Sequence, residues 1–227
     1  MQGPAQEDLA VRIDPAREAD HGLLANLLEL YLHDLSETFA IIQLGTDGRF
    51  GYPRLPSYWS EPKVRFPFLI RKRGKLVGFA LAQRGSPMSE DPEVFDVAEF
   101  FVLRSERRSG VGARAAELLW DRLPGRWIVR VCEANLGGLP FWTRVIQSYA
   151  GNAVTRTSRR SEPHAWSVFA FQTRSPGAQG APQNRATRRR LLAAPANQNH
   201  PVTLAGCRAA GRAFGRRDRC AQAYHLL

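Results

Sequence analysis

Cysteine is scarce in this chain: three in 227 residues, Cys132, Cys207 and Cys220. Their odd number and wide spacing argue against a disulfide framework and against the closely spaced ligand pairs of a zinc site. Cys132 lies in an apolar run and reads as a small buried residue. Long apolar runs are missing too. With a mean hydropathy of −0.33, no stretch approaches the roughly 18–20 apolar residues that a membrane helix needs. Residues 1–8 are polar and acidic and lack the basic-then-apolar order of a signal peptide, so a soluble, cytoplasmic protein is expected. Histidine is thin as well, and His21, His33 and His164 fit no metal spacing. No metal is expected, and no Ser-His-Asp constellation can be assembled.

What is plentiful is arginine, but unevenly. The formal charge is +11, from 32 basic and 21 acidic residues. Nine arginines and a single acid, Asp218, lie from Ser175 onward, leaving 23 basic and 20 acidic residues before it. The basic character therefore belongs to residues 175–227, which are rich in Ala, Arg and Gly and poor in periodic apolar positions. Such a composition buries too little surface to offset chain entropy, and a disordered tail is expected, apart from a short helix suggested near 186–194. Arg188, Arg189, Arg190, Arg216 and Arg217 leave open a phosphate-binding role toward nucleic acid. The scarcity of aromatic stacking platforms favours an extension without that function.

Residues 1–174 read as one domain of alternating strands and helices. Residues 9–13 form a short strand. Leu24, Leu27, Leu28, Tyr31 and Leu35 recur at helical spacing. Residues 46–62, rich in Gly, Pro and aromatics, form a loop. Residues 66–71 and 76–83 flank Lys72-Arg73-Gly74-Lys75 as a hairpin. A long strand at 94–103, a helix at 110–122, a strand at 127–132, a helix near 139–149 and two closing strands follow. The fold class is α/β (α+β): a mixed, mostly antiparallel central sheet flanked by helices.

The run Arg107-Arg108-Ser109-Gly110-Val111-Gly112-Ala113 carries the first chemical signal. It joins a strand to a helix, and the first turn of a helix offers unpaired N–H groups and the positive end of a dipole to phosphate. Glycines at 110 and 112 let a pyrophosphate approach the backbone, and Arg107 and Arg108 add charge. An ordinary strand-to-helix turn with solvated arginines is the plain alternative.

The spacing adds a resemblance. An Arg five residues after Val102, with glycines eight and ten after it, is similar to the signature of the GNAT superfamily of acyl-CoA N-acetyltransferases. Residues 129–146, with Asn135 just past a strand, resemble that family's next strand and helix. Ala98-Glu99-Phe100-Phe101-Val102-Leu103, Gly125-Arg126-Trp127 and Glu133-Ala134-Asn135 look like a group of predicted bacterial acetyltransferases without an assigned substrate. The resemblance implies a GNAT-like fold with acetyl-CoA as cosubstrate and an amine as acceptor. Phe101 and Val102 would offer backbone groups to the pantetheine arm. Residues 107–113 (Arg107, Arg108, Ser109, Gly110, Val111, Gly112 and Ala113) would cradle the pyrophosphate. Asn135 would bond the cofactor or cap the next helix. A homodimer is left open.

Acetyl transfer to an amine needs a base, an oxyanion donor and a proton for the leaving thiolate. Glu99 is the candidate base. Regular alternation would place it with Val97, Phe101 and Leu103 on a mostly apolar face, where burial raises a carboxyl's proton affinity. Pairing with Arg130 is the plain alternative. Asp96 would fall on the opposite face. Many members of the family carry a tyrosine seven residues beyond the position of Asn135, as the acid; here Trp142 stands there, and Tyr149 or another tyrosine would replace it. The loop from Phe50 to Trp59 is either an acceptor wall or a segment folded onto the core. Beside the enzyme, a non-catalytic acyl-CoA sensor and nucleic-acid binding through the tail remain alternative functions.

Overall fold

The computed structural model describes residues 10–173. The expected tail, its short helix and its arginines lie outside the described residues. Within them the chain runs β1 (Val11–Pro15), α1 (His21–Ser36), α2 (Ser57–Ser60), β2 (Arg65–Lys72), β3 (Lys75–Arg84), β4 (Phe95–Val102), α3 (Val111–Arg122), β5 (Arg126–Cys132), α4 (Gly138–Ala150), β6 (Thr155–Ser161) and β7 (His164–Gln172). One seven-stranded sheet results, in the order β1-β2-β3-β4-β5-β7-β6. Every pairing is antiparallel except β4 with β5.

Local chemistry explains the joints. Arg73 (φ 49°) and Gly74 (φ 78°) both take left-handed backbone in the β2–β3 turn, the two-residue geometry whose twist matches a hairpin. Between β4 and β5 the chain must cross over to run parallel, and α3 makes that crossover.

Helices cover both faces. On one, Leu119 and Trp120 of α3 and Trp142 and Ile146 of α4 pack with Ile70, Val97, Trp127 and Val129. On the other lies α1, whose two halves serve different strands. Leu24, Leu27 and Leu28 pack with Leu69, Phe79, Leu81 and Phe101 of β2–β4. Leu32 and Leu35 join Phe39 and Ile42 against Ile128, Cys132, Trp166 and Val168 of β5 and β7. Helix α1 therefore bridges the two halves of the sheet.

Candidate active site

The halves meet at a short seam. Strands β4 and β5 pair only through Phe95 with Trp127 and Asp96 with Ile128. Beyond that point β4 stays with β3 and β5 with β7, so the two strands splay. A fully buried ion pair crosses the divergence: Asp96 accepts from Arg130 Nε at 2.9 Å and from Nη2 at 3.1 Å. Ser86 donates a further, short hydrogen bond to Asp96. Two parallel bonds plus a hydroxyl satisfy this carboxylate without water.

Strand β4 is not a regular alternation. Leu81 pairs with Glu99 but Ala82 pairs with Val97, leaving Ala98 as an extra, bulged residue. Such a bulge shifts the phase of every side chain on one side of it. The expected faces change accordingly. Val97 turns to the α3–α4 core, and Asp96, expected opposite Glu99, is the residue that takes Arg130.

Glu99 is 2% exposed and accepts two phenolic hydrogen bonds, from Tyr31 at 2.6 Å and from Tyr52 at 3.0 Å. Burial pushes its carboxyl up from 4.5 to about 7, against the opposing pull of the two phenols and Arg130. A group titrating there exchanges protons readily at neutral pH. Tyr52 belongs to the aromatic loop. Leu55 and Tyr58 fold into the core, while Tyr52 and Arg54 line a depression with Gln83, Pro87, Ala98, Glu99 and Arg130. Glu29 on α1 holds this loop, accepting from the N–H groups of Phe50 at 2.7 Å and Gly51 at 3.0 Å.

A second cleft follows the splay itself. It is lined by Val97, Ala98 and Phe100 of β4, by residues 129–132 of β5, by Asn135 and Trp142, and by Tyr31, Leu35, Phe39 and Trp166. Ala98 and Arg130 line both hollows, so the two meet beside Glu99. From Val97 onward β4 has no ladder partner on the side of this cleft. The Leu103 N–H bonds the Val77 carbonyl of β3. By alternation Phe101 therefore turns its backbone groups to β3, unlike the expectation, and Val102 turns its own to the open edge.

The loop after β4 leads to a free helix start. Arg108 (φ 62°) and Gly110 (φ 83°) take left-handed backbone. The N–H of Arg114 is the one that bonds Gly110. Those of Val111, Gly112 and Ala113 are thus the first-turn donors with no carbonyl a turn behind them, the arrangement that accepts phosphate. Two of the expected contributions differ in kind. Gly112 makes room for a neighbour: a Cβ there would lie 3.2 Å from the ring of Phe141 on α4. Arg107, though exposed, commits its guanidinium to the Val102 carbonyl at 2.8 Å and to Asp34 of α1 at 2.6 Å, over the face of Phe101. Asp34 also takes Arg104 at 2.7 Å. Ser109 donates to the Glu106 carbonyl. Arg108 is left exposed at the loop.

Asn135 caps α4, its Oδ1 accepting from Gly138 N–H at 2.8 Å, and also lines the cleft. Tyr149 goes elsewhere than a proton donor must. It is buried against Trp120 and Phe171 and donates to Asp121 of α3 at 2.8 Å, away from the cleft-lining set. The helical phase of α4 gives the cleft-facing place to Trp142, which packs on Phe100. Tyr31, the bond of Tyr52 to Glu99 and the Asp96–Arg130 pair are the parts of the site that sequence reasoning did not assign. For Tyr31 the signal was a polar atom on the core face of an otherwise leucine-lined helix. Among the described residues no group of three or more His, Cys, Asp or Glu could hold a metal, and no helix is long and apolar enough to cross a membrane.

A strand edge opened inside a sheet, next to a helix start that can take phosphate, suits a donor that is long, amide-bearing and phosphorylated, and the class so defined is that of the acyltransferases. The chain belongs to the GNAT acetyltransferase family, whose sequence model matches residues 26–145, over half its length. That family uses acetyl-CoA as cosubstrate. Solved structures agree in fold. An acetyltransferase from Thermus thermophilus is 18% identical with a TM-score of 0.52, over 72% of this chain and 97% of that one. A Salmonella typhimurium protein assigned as an acetyltransferase, solved with its cofactor acetyl-CoA, is 16% identical with a TM-score of 0.51, over 76% and 99%. No curated protein matches the chain in sequence.

Proposed function

We propose that this protein is an N-acetyltransferase that moves the acetyl group of acetyl-CoA to a primary amine of a small molecule or polypeptide, with Glu99 as the base. The observation that carries this reading is the placing of Glu99: a buried carboxyl titrating near 7 where the splay cleft and the second hollow meet. The first-turn amides of Val111, Gly112 and Ala113, with Arg108 beside them, would hold the pyrophosphate. The open edge at Val102, through its N–H, would pair with the pantetheine arm, as an added strand pairs with a sheet edge. Asn135 would fix the arm near the splay while capping α4. The donor supplies an activated thioester. The amine, whose ordinary pKa is near 10.4, reacts as its neutral fraction, and Glu99 takes the proton that the nitrogen sheds as it attacks the thioester. Tyr52, Arg54 and Gln83 would bound the acceptor around that step.

Acetyl-CoA titration by calorimetry, followed by thiol release with a panel of amines, tests this. The expected result is binding by wild type and by Glu99→Gln alike, with turnover lost by about 10²-fold or more in the variant, the usual contribution of a general base. Absence of acetyl-CoA binding at millimolar concentration refutes the cofactor reading. Unchanged turnover in Glu99→Gln refutes the role of Glu99.

A further inference from the structure

We propose that Tyr31 is the proton donor to the leaving thiolate and that Glu99 refills it, so that the proton taken from the amine in one hollow is returned to sulfur in the other. This rests on the reading of Glu99 as the base.

Three observations carry it. Tyr31 and Glu99 share a 2.6 Å hydrogen bond, the shorter of the two phenolic contacts to that carboxyl. Tyr31 lines the splay cleft whereas Glu99 lines the acceptor hollow, so the bond joins the two. The two side chains that family position and sequence offered for the acid are otherwise engaged or unsuitable: Tyr149 donates to Asp121, and Trp142 is an indole. The Tyr31 ring is fixed edge-on against Phe79 and Phe101, 5.7 and 6.0 Å between centroids, which leaves rotation of its O–H as the free motion.

The order of events follows from proton affinities. Burial, then the adjacent Glu99, hold the Tyr31 phenol well above its ordinary value of 10. A phenol so placed yields its proton to a thiolate only if it is given another at once. While Glu99 is ionised, the Tyr31 O–H points at the carboxylate. The acceptor attacks as the neutral amine, its ammonium proton having gone to solvent. As the nitrogen bonds to the acetyl carbon, the proton that this bond makes acidic passes to Glu99. The neutral carboxyl then donates to the Tyr31 oxygen, and the Tyr31 O–H turns about its C–O bond toward the cleft. The C–S bond breaks with its electron pair on sulfur, which takes the Tyr31 proton while the Glu99 proton replaces it. Amide and free thiol leave, Tyr31 and Glu99 are restored, and the active-site pair neither gains nor loses a proton.

Tyr52 supplies the control, because it bonds the same carboxyl but lines only the acceptor hollow. Tyr31→Phe and Tyr52→Phe are compared with wild type using acetyl-CoA and using an acetyl thioester of an acidic thiophenol, whose thiolate leaves without a proton. Tyr31→Phe should lose on the order of 10²-fold in single-turnover rate with acetyl-CoA and less than about threefold with the aryl thioester. Tyr52→Phe should lose equally with both donors. In the free protein, infrared titration of the Glu99 carboxyl should move above 7 in Tyr31→Phe, since the bond it loses favours the ionised form. Equal losses with both donors in Tyr31→Phe, or no loss, overturn the relay and leave Glu99 as base untouched. Retained turnover in Glu99→Gln instead overturns the base, whatever Tyr31 does.

Discussion

Glu99→Gln should change the way stability depends on pH, before any substrate is added. In the folded chain the carboxyl titrates near 7, against 4.5 when unconstrained, because burial disfavours its charged form. Between those values the folded protein holds a proton that the unfolded one has released, so stability falls as pH rises from about 4.5 to 7 and levels off above. At 1.36 kcal/mol per pH unit, the full effect is roughly 3 kcal/mol. Glutamine keeps the shape and cannot ionise, so the variant should lack this slope and become the more stable of the two, relative to its own value near pH 5, by about that amount at pH 8. Urea unfolding followed by tryptophan fluorescence and circular dichroism, with coincident transitions, measures it. Subtracting the variant's profile from that of wild type removes every other titrating group. A difference profile that is flat between pH 5 and 8, or that rises, refutes the argument: Glu99 would then be an ordinary ionised carboxylate, and its use as a base near neutrality would fall with it.

Other perturbations separate the parts of the site. Asp96→Ala strands the Arg130 guanidinium without its partner inside the sheet, and should lower stability by about 3–5 kcal/mol, read as a fall in Tm; adding Arg130→Met should recover part of it. Asp34→Ala frees Arg104 and Arg107 at the surface and should alter stability by less than about 1 kcal/mol. It should nonetheless weaken acetyl-CoA binding several-fold in calorimetry, because the loop before α3 loses its tie to α1. Glu29→Ala removes the acceptor of the Phe50 and Gly51 amides. KM for the amine should rise while the Kd for acetyl-CoA stays within about twofold, since the loop walls one hollow and not the other.

The parts that were legible in the sequence were those encoded locally. The helix start at Val111 follows from glycine spacing over a few residues, and the succession of strands and helices from alternating periodicities. Glu99 stood out because a carboxylate in Ala98-Glu99-Phe100-Phe101 must be paired or perturbed. Its partners were not legible. A bulge at Ala98 inserts one residue into β4, and no period-two pattern reveals an insertion of one among apolar neighbours. That single residue reassigned Arg130 from Glu99 to Asp96. Tyr31 followed the leucine phase of α1 and read as core, and only the packing of α1 beneath the splay turns its hydroxyl to Glu99. Tyr149 is offered by the sequence only because Trp142 holds the family's tyrosine position, and the phase of α4 directs it to Asp121.

The short β4–β5 seam has a consequence for how the sheet meets its surroundings. An exposed strand edge is ordinarily a hazard, since any other extended chain can pair with it. Here the second edge lies in the interior, between two strands of the same sheet, with α1 on one face and α4 on the other. A folded neighbour presenting a β-strand is too thick to reach it, whereas a single slender chain with amide groups can. On the proposed function, that edge would take a cofactor arm while the flanking helices crowd out a second sheet, an arrangement set by strand spacing alone.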